Sequence, residues 1–421
     1  MRISNVFKKN KEGLSSLPVA KKLLRQQPVS TPFQNYKKII KYQIYNSVRY
    51  KFDLTLTQLK KIGIPTTQTI KSIRALIVSD NKNYTSETQF VPFLNYRQVL
   101  RKRFSFVFKQ MLIEDALRQF RIFSYFDVIF VKLSFTLSTI EAQQLIELIY
   151  LAKGSAKLVY FDGDDDLGIL WPEIFPYLDL YVKKHLFFDL KRYNNVFTGK
   201  NNLTDYVASR WGVSFANCAT PFTKPLSTKQ HSKLFLGPNI ALDSKIKKLY
   251  TKLALHLQLN KKQDIVCRVF TDPGGWKHYL RQFAISKLQT LTPQYQVLAS
   301  TDWVSQKEYY QELLSSKICV SPFGYGEICW RDFEAVLCRC LLIKPDMAHL
   351  QTTPNIFIPY ESYVPVKWDY SDLEEKCIYY LEHEEERERI VQRAYQILSD
   401  YYRNDSFLDN FAQLLKRVNL I

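Results

Sequence analysis

The run Lys317–Asp346, KICVSPFGYGEICWRDFEAVLCRCLLIKPD, constrains the fold more than any other stretch of the chain. Ile318 to Ser321 is a short apolar run of the kind that makes a buried strand. Phe323-Gly324-Tyr325-Gly326 supplies a turn, because glycine lets the backbone bend tightly and approach a neighbour closely. Glu327 to Cys338 has helical spacing: Ile328, Phe333, Val336 and Leu337 can face a core, and Glu327, Arg331 and Glu334 share another face. Leu341-Leu342-Ile343 then re-enters a sheet and ends at Lys344-Pro345-Asp346. A glycine turn that opens a helix offers free N–H groups to a phosphate or diphosphate. An ordinary βα turn with no ligand fits the same residues equally well.

The same alternation runs through the chain. Strands are expected at Arg74–Val78, Phe126–Val131, Lys157–Phe161 and Leu178–Val182. Helices are expected over residues 97–122 and over Thr139–Ala152, the latter started by a capping box at Ser138 and Glu141. After a polar linker near Pro221, Pro225 and Ser227–Ser232, a second unit opens at Lys233–Pro238. It continues with a helix at Leu242–Leu259, a strand at Asp264–Phe270, a helix at Trp276–Leu288 and a strand at Gln296–Ser300. Short strands are expected at Asn355–Ile358 and Tyr363–Val366, and a last amphipathic helix at Ser406–Val418. Strands alternating with helices at this spacing make an α/β fold of doubly wound parallel sheets.

Two further groups of residues can carry chemistry. The third strand ends in Asp162-Gly163-Asp164-Asp165-Asp166, where open α/β sheets place their ligands. Asp162 and Asp164 can act as a D-x-D site for Mg²⁺ or Mn²⁺, or one of them as a general base. The run can equally be an acidic turn and helix cap. The fourth strand ends in Lys183-Lys184-His185, and His185 can act as a base or be structural. In the second unit Arg268, at its strand end, and Lys277 and Arg281 on the next helix can hold phosphate.

The pattern Gly324-x-Gly326-Glu327, then Arg331-x-x-Glu334-Ala335, then a small apolar strand, resembles the donor half of GT-B glycosyltransferases, in particular the exostosin-like and spore-coat-protein-like branches. The similarity covers about the last third of the chain. It implies two Rossmann-like domains facing a cleft, with the second binding a nucleotide sugar through Gly324, Gly326, Glu327, Arg331 and Glu334; Arg268 and Lys344 are further expected to offset charge on the nucleotide phosphate. The acidic turn and the strand end are expected to supply the acceptor side through Asp162, Asp164 and His185; the resemblance implies donor binding that requires no metal, and no cofactor is expected. Glu327 and Glu334 stand one residue closer than the paired glutamates of retaining members, which leaves the stereochemistry open. The expected division is a basic arm at 1–70, an acceptor domain at 71–226, a donor domain at 233–400 and a terminal helix at 401–421 crossing back.

Composition narrows the partners. The 421 residues suffice for two cores, and 46% are hydrophobic. The 28 Phe and 27 Tyr are mostly core material, with some available to stack on sugars or bases. A formal net charge of +19 favours an anionic partner. Up to Lys61 there are 14 Lys or Arg against Glu12 and Asp53, interleaved with tyrosine and isoleucine. Such an arm suits an anionic membrane surface or simple solvation, and no nucleic-acid motif accompanies it. Seven scattered cysteines, without a C-x-x-C pair, point to a reducing compartment and away from zinc. With no secretory h-region and no spanning run, the expected location is cytoplasmic or peripheral on the inner face of a membrane.

The expected activity is sugar transfer from a nucleotide sugar to a glycan or lipid-linked glycan, in surface polysaccharide synthesis. A CMP-linked acidic sugar is compatible with the basic residues. Rival expectations are a sugar-nucleotide epimerase and a non-catalytic scaffold that docks on membrane or nucleic acid.

Overall fold

The computed structural model describes residues 72–80, 87–218, 220–256 and 259–421. The basic arm expected at residues 1–70 lies outside them.

The first half runs β1 (Ile73–Ser79), α1 (Val91–Asn95), α2 (Arg97–Phe104), β2 (Phe106–Leu112), α3 (Ile113–Arg118), β3 (Val128–Val131), α4 (Thr139–Ala152), β4 (Lys157–Asp162) and β5 (Leu180–Lys183). It continues through β6 (His185–Phe187), α5 (Asn202–Trp211), α6 (Thr228–His231), β7 (Leu234–Leu236) and α7 (Ser244–His256). The second half begins with β8 (Gln263–Arg268), α8 (Lys277–Gln289), β9 (Val297–Ser300), α9 (Gln306–Ser315), β10 (Ser316–Val320) and α10 (Trp330–Leu337). It ends with β11 (Leu341–Pro345), β12 (Leu350–Thr352), β13 (Val364–Val366), α11 (Leu373–Glu382), α12 (Glu384–Arg403) and α13 (Ser406–Arg417).

Two parallel sheets result, one of six strands in the order β2-β1-β3-β4-β5-β7 and one of five in the order β13-β11-β10-β8-β9. Strands such as β3, Val-Ile-Phe-Val, are buried along their whole length, as parallel strands covered on both faces must be. This is the α/β architecture of two Rossmann-like domains, the GT-B arrangement. Helix α4 spans Thr139–Ala152 as its sequence dictates. The Ser138 hydroxyl accepts from the Glu141 amide at 3.3 Å, and the Glu141 carboxylate accepts from the Ser138 amide at 2.9 Å.

Four local expectations differ from the structure. The helix expected over residues 97–122 is broken by β2. Ser105 takes a left-handed φ of 51° that ends α2, and Phe106–Leu112 then pairs with β1 along its full length. The strong β-formers Phe106-Val107-Phe108 lie directly behind the basic run Arg101-Lys102-Arg103, which hid them in a helical pattern. The strand at Leu234–Leu236, expected to open the second unit, pairs with β5 and closes the first sheet. No strand forms at Asn355–Ile358; the nearby strand is β12. The helix expected from Glu327 starts at Trp330, because the Asp332 carboxylate accepts from the Cys329 amide at 2.9 Å and fixes the start there.

The two sheets are stapled together at one end. β6, leaving the first sheet, pairs antiparallel with β12 of the second half, His185 opposite Thr352. The Thr352 hydroxyl donates to the Lys184 carbonyl at 3.2 Å, and Asn239 Nδ2 donates to the Thr352 hydroxyl at 2.8 Å. Helix α12 packs Ile390 and Val391 into the core of the second sheet. Helix α13 then returns to the first: Phe411 lies with ring centroids 4.8 Å from Phe106 and 5.6 Å from Phe93.

Candidate functional site

The glycine turn after β10 and the acidic turn after β4 meet across the two sheets. The Gly324 amide donates to the Gly326 carbonyl at 3.0 Å. A Cβ on Gly326 would stand 1.5 Å from the Asp165 carbonyl oxygen. Only glycine permits this approach of one backbone to another. The carboxyl ends of both sheets therefore face one seam, where open α/β sheets gather ligands.

On the second-sheet side, several of the singled-out side chains are engaged with their neighbours. Arg331 is partly buried and donates to the Ser321 hydroxyl at 3.0 Å, the Arg268 carbonyl at 3.1 Å and the Pro322 carbonyl at 2.9 Å. It splints the end of β8 to the start of the glycine turn. Arg268 forms a fork with Glu312, at 2.7 and 2.6 Å. Lys344, fully buried, sits 3.2 Å from Asp332 and donates to the Ser321 carbonyl at 3.3 Å. Glu334 accepts from the Tyr309 and Tyr310 phenols at 3.1 Å each, and burial raises its carboxyl. Because α10 starts at Trp330, Glu327 lies in the turn and does not share a helical face with Arg331 and Glu334.

Beside them stand cations without carboxylates. Arg281 on α8 donates through Nε to the Phe323 carbonyl at 3.0 Å, and its Nη2 lies 3.0 Å from where a Cβ on Gly324 would be. Burial and the neighbouring Arg331 charge bring the Arg281 guanidinium down to about 10. Lys277, one turn earlier on α8, donates to the Tyr325 phenol at 2.9 Å and stands 4.0 Å from its ring centroid. Among the described residues none of Arg281, Arg331 and Lys277 forms an ion pair with a carboxylate. Three positive charges thus surround a glycine turn with no ion-paired carboxylate among the described residues.

On the first-sheet side every carboxylate of the acidic turn has a cation. Asp162 accepts from Lys183 Nζ at 2.9 Å and from the Tyr181 phenol at 2.7 Å. Burial alone would raise its carboxyl, but the Lys183 ammonium outweighs burial and holds it below the usual range. Lys184 pairs with Asp165 at 2.8 Å. Lys200 bonds Asp164 and lies 2.9 Å from Asp166. Burial opposes the Lys200 charge, yet Asp164 and Asp166 outweigh it and hold the ammonium well above the ordinary lysine range. Burial raises the Asp166 carboxyl.

Between the two turns lies a closed polar cluster. Glu327 is 0% exposed. Its Oε2 stands 3.6 Å from His185 Nε2, and its Oε1 stands 3.5 Å from His349 Nε2. Asn202 Nδ2, at the start of α5, donates to Glu327 Oε1 at 3.1 Å. The imidazole contacts are longer than good hydrogen bonds. Both ring nitrogens of His185, Nε2 of His349, Oε2 of Glu327 and Oδ1 of Asn202 are buried with no hydrogen-bond partner. Buried polar atoms ordinarily find partners, so this gathering of under-satisfied groups at the seam is a candidate ligand site. The His349 ring is backed by Trp368, with centroids 5.1 Å apart.

Burial pushes the Glu327 carboxyl up, but the adjacent His185 and His349 rings outweigh it and hold the group well below its usual 4.5. A carboxyl depressed on folding stabilises the protein above its unfolded value and loses that contribution as pH falls through the folded one. Glu327→Gln is therefore expected to flatten the fall of Tm below about pH 4.5. Equal acid slopes for wild type and variant in a thermal melt series would mean that Glu327 carries no such charge.

Sequence reasoning brought Glu327 and His185 forward but not Asn202 or His349. Asn202 had no signal beyond a helix start, and His349 is a lone histidine after a strand. Arg281 and Lys277 were readable only as basic residues near a loop.

Residues 252–413 match the model of a family described as glycosyl transferase-like. That stretch holds β8 to β13 and reaches into α13, so the likeness to that family lies in the second half of the chain. No curated protein matches the chain. Among solved structures, a glycosyltransferase from Rickettsia africae ESF-5 is similar at 10% identity and TM-score 0.47, over 83% of this chain and 99% of that one. A UDP-GlcNAc 2-epimerase from Neisseria meningitidis, bound to UDP-GlcNAc, is similar at 11% identity and TM-score 0.37, over 80% and 99%. An alpha1,3-fucosyltransferase with GDP is similar at 12% identity and TM-score 0.39, over 85% and 95%.

Proposed function

We propose that the protein is a GT-B glycosyltransferase that moves a sugar from a nucleotide-linked donor to a hydroxyl of a glycan or lipid-linked glycan, of the kind used in surface polysaccharide synthesis. The observation that carries this is the set of unpartnered polar atoms on His185, Asn202, Glu327 and His349, lying beside a glycine turn ringed by uncompensated cations. The cations suit a diphosphate, and the unpartnered atoms suit the hydroxyls of a sugar attached to it. The Arg331-x-x-Glu334-Ala335 pattern supports an exostosin-like or spore-coat-protein-like branch in this reading.

In this reading Arg281 and Lys277 receive the phosphates at Gly324 and Gly326. Arg331, Arg268 and Lys344 hold the turn in shape and add fixed positive charge behind it. Glu327 and His349 hold sugar hydroxyls, and Glu334 positions the donor side of α10. The acceptor oxygen attacks the anomeric carbon, the bond from that carbon to the phosphate oxygen breaks, and the nucleotide leaves with the electron pair. His185 takes the hydroxyl proton. Asp162 and Asp164, held by Lys183 and Lys200, set the acceptor wall. Fixed charge in a closed seam stabilises the departing phosphate without reorganisation.

The test is calorimetry of the protein against UDP, GDP, CDP, ADP, dTDP and CMP without added metal. One nucleotide is expected to bind, and Arg281→Ala to weaken it by at least about tenfold, or 1.4 kcal/mol. No binding to any of them overturns the reading. Conversion of the matching nucleotide sugar without an acceptor would make the protein an epimerase instead.

A further inference from the structure

A second basic surface lies on the helices α2 and α7. In α7, Ile246, Leu249 and Leu253 are buried, so that face packs inward. Lys248, Thr251, Lys252 and Leu255 follow one another at helical spacing on the opposite face and are exposed. The neighbouring helix brings exposed Arg97, Arg101 and Lys102. Lys247 reaches Tyr96, the residue between α1 and α2, its ammonium 4.8 Å from the ring centroid. A groove of about 380 Å³ lies between α7 and the end of α1, just before α2, lined by Asn95, Ser244, Lys247, Lys248, Thr251 and Lys252.

Two properties of this surface select its partner. The first is charge. Among the described residues Arg101, Lys102, Lys247, Lys248 and Lys252 form no ion pair, while Arg103 alongside is matched by Asp409. Unmatched cations on adjacent helices call for an anionic surface. The second is exposed apolar bulk in the same place: Leu94 and Val99 beside the groove, 46% and 38% exposed, and Leu255 at 71%. Nucleic acid rewards the charges but not these side chains. The chain's own residues 1–61 carry 14 Lys or Arg against Glu12 and Asp53 and are repelled by the same charges. An anionic bilayer rewards both, with headgroup phosphates in the groove and the leucines at the acyl boundary. No described helix is long and apolar enough to cross a membrane, which fits contact along the surface.

We propose that the α2–α7 face docks the protein on an anionic lipid surface, with lipid phosphate seated in the Lys247–Lys248–Lys252 groove. This does not depend on the proposed sugar transfer.

The test is co-sedimentation of the full chain with vesicles of phosphatidylcholine, with and without phosphatidylglycerol, at physiological salt. Wild type is expected to bind the anionic vesicles alone. Lys248→Glu/Lys252→Glu is expected to lower partitioning at least about tenfold, and Leu255→Ser several-fold. Lys307→Glu, an exposed charge on α9, is expected to leave it unchanged. All these residues are exposed, so an unchanged Tm serves as the folding control. Unchanged partitioning of the double variant overturns the proposal and moves binding to residues outside this face. Equal binding to neutral vesicles also overturns it. So does duplex DNA that strips the wild type from vesicles and loses affinity in the same double variant, since the face would then read nucleic acid.

Discussion

Gly326→Ala is expected to lower turnover by at least about a hundredfold, because displacing reacting groups by about 1 Å can cost that much. The new Cβ would lie 1.5 Å from the Asp165 carbonyl oxygen and 2.1 Å from its carbonyl carbon. Both are backbone atoms of a turn held by Lys183, Lys184 and Lys200, so no flexible side chain can swing away. The seam between the two turns must open, and Glu327 must move relative to His185 and Asn202 on the other side. Nucleotide binding is expected to survive better than turnover, because Arg281 and Lys277 belong to the same half as the glycine turn. The measurement is steady-state transfer and nucleotide calorimetry on the same variant. Full activity in Gly326→Ala would mean that the reaction does not need the two turns in contact.

Lys183→Met is expected to cost about 3–5 kcal/mol of stability, the usual result of removing one partner from a buried ion pair. Lys183 is fully buried and bonds Asp162 at 2.9 Å and the Gly168 carbonyl at 2.9 Å. Without it the Asp162 carboxylate keeps hydrogen bonds from the Tyr181 phenol and the Asp164 amide, its directly bonded cation is gone, and its charge is left in a buried site with Lys200 as the remaining neighbouring cation. Asp162→Asn/Lys183→Met removes both charges and is expected to recover most of the loss. Urea unfolding of the two variants measures this. A loss under about 1 kcal/mol for Lys183→Met would show the pair to be dispensable. Turnover in the double variant separates two roles: if it persists, the carboxylate of Asp162 organises the turn and does not react.

Local rules made part of the fold readable. The Ser138–Glu141 capping box placed α4, since its hydrogen bonds close within one helical turn. The apolar runs of β4, β8 and β11 placed strands to within a few residues. The same rules failed at β2, where a helical pattern of basic residues concealed a strand whose pairing with β1 decides its state. They also failed at Glu327, where spacing continued the helix but Asp332 capped it at Cys329.

The βα alternation, the two glycines of the turn and the acidic run at a strand end can be read from local residue patterns. Which charges meet depends on how the sheets are built and docked. Lys183, Lys184 and Lys200 find the acidic turn because β4 and β5 are neighbours and the loop before α5 folds back over it. Glu327 meets Asn202, which is 125 residues away, because the carboxyl ends of two sheets face each other. Helix caps and strand periods depend on bonds a few residues long. The partner of a buried carboxylate depends on strand order and on how two sheets are docked, and no local spacing records either.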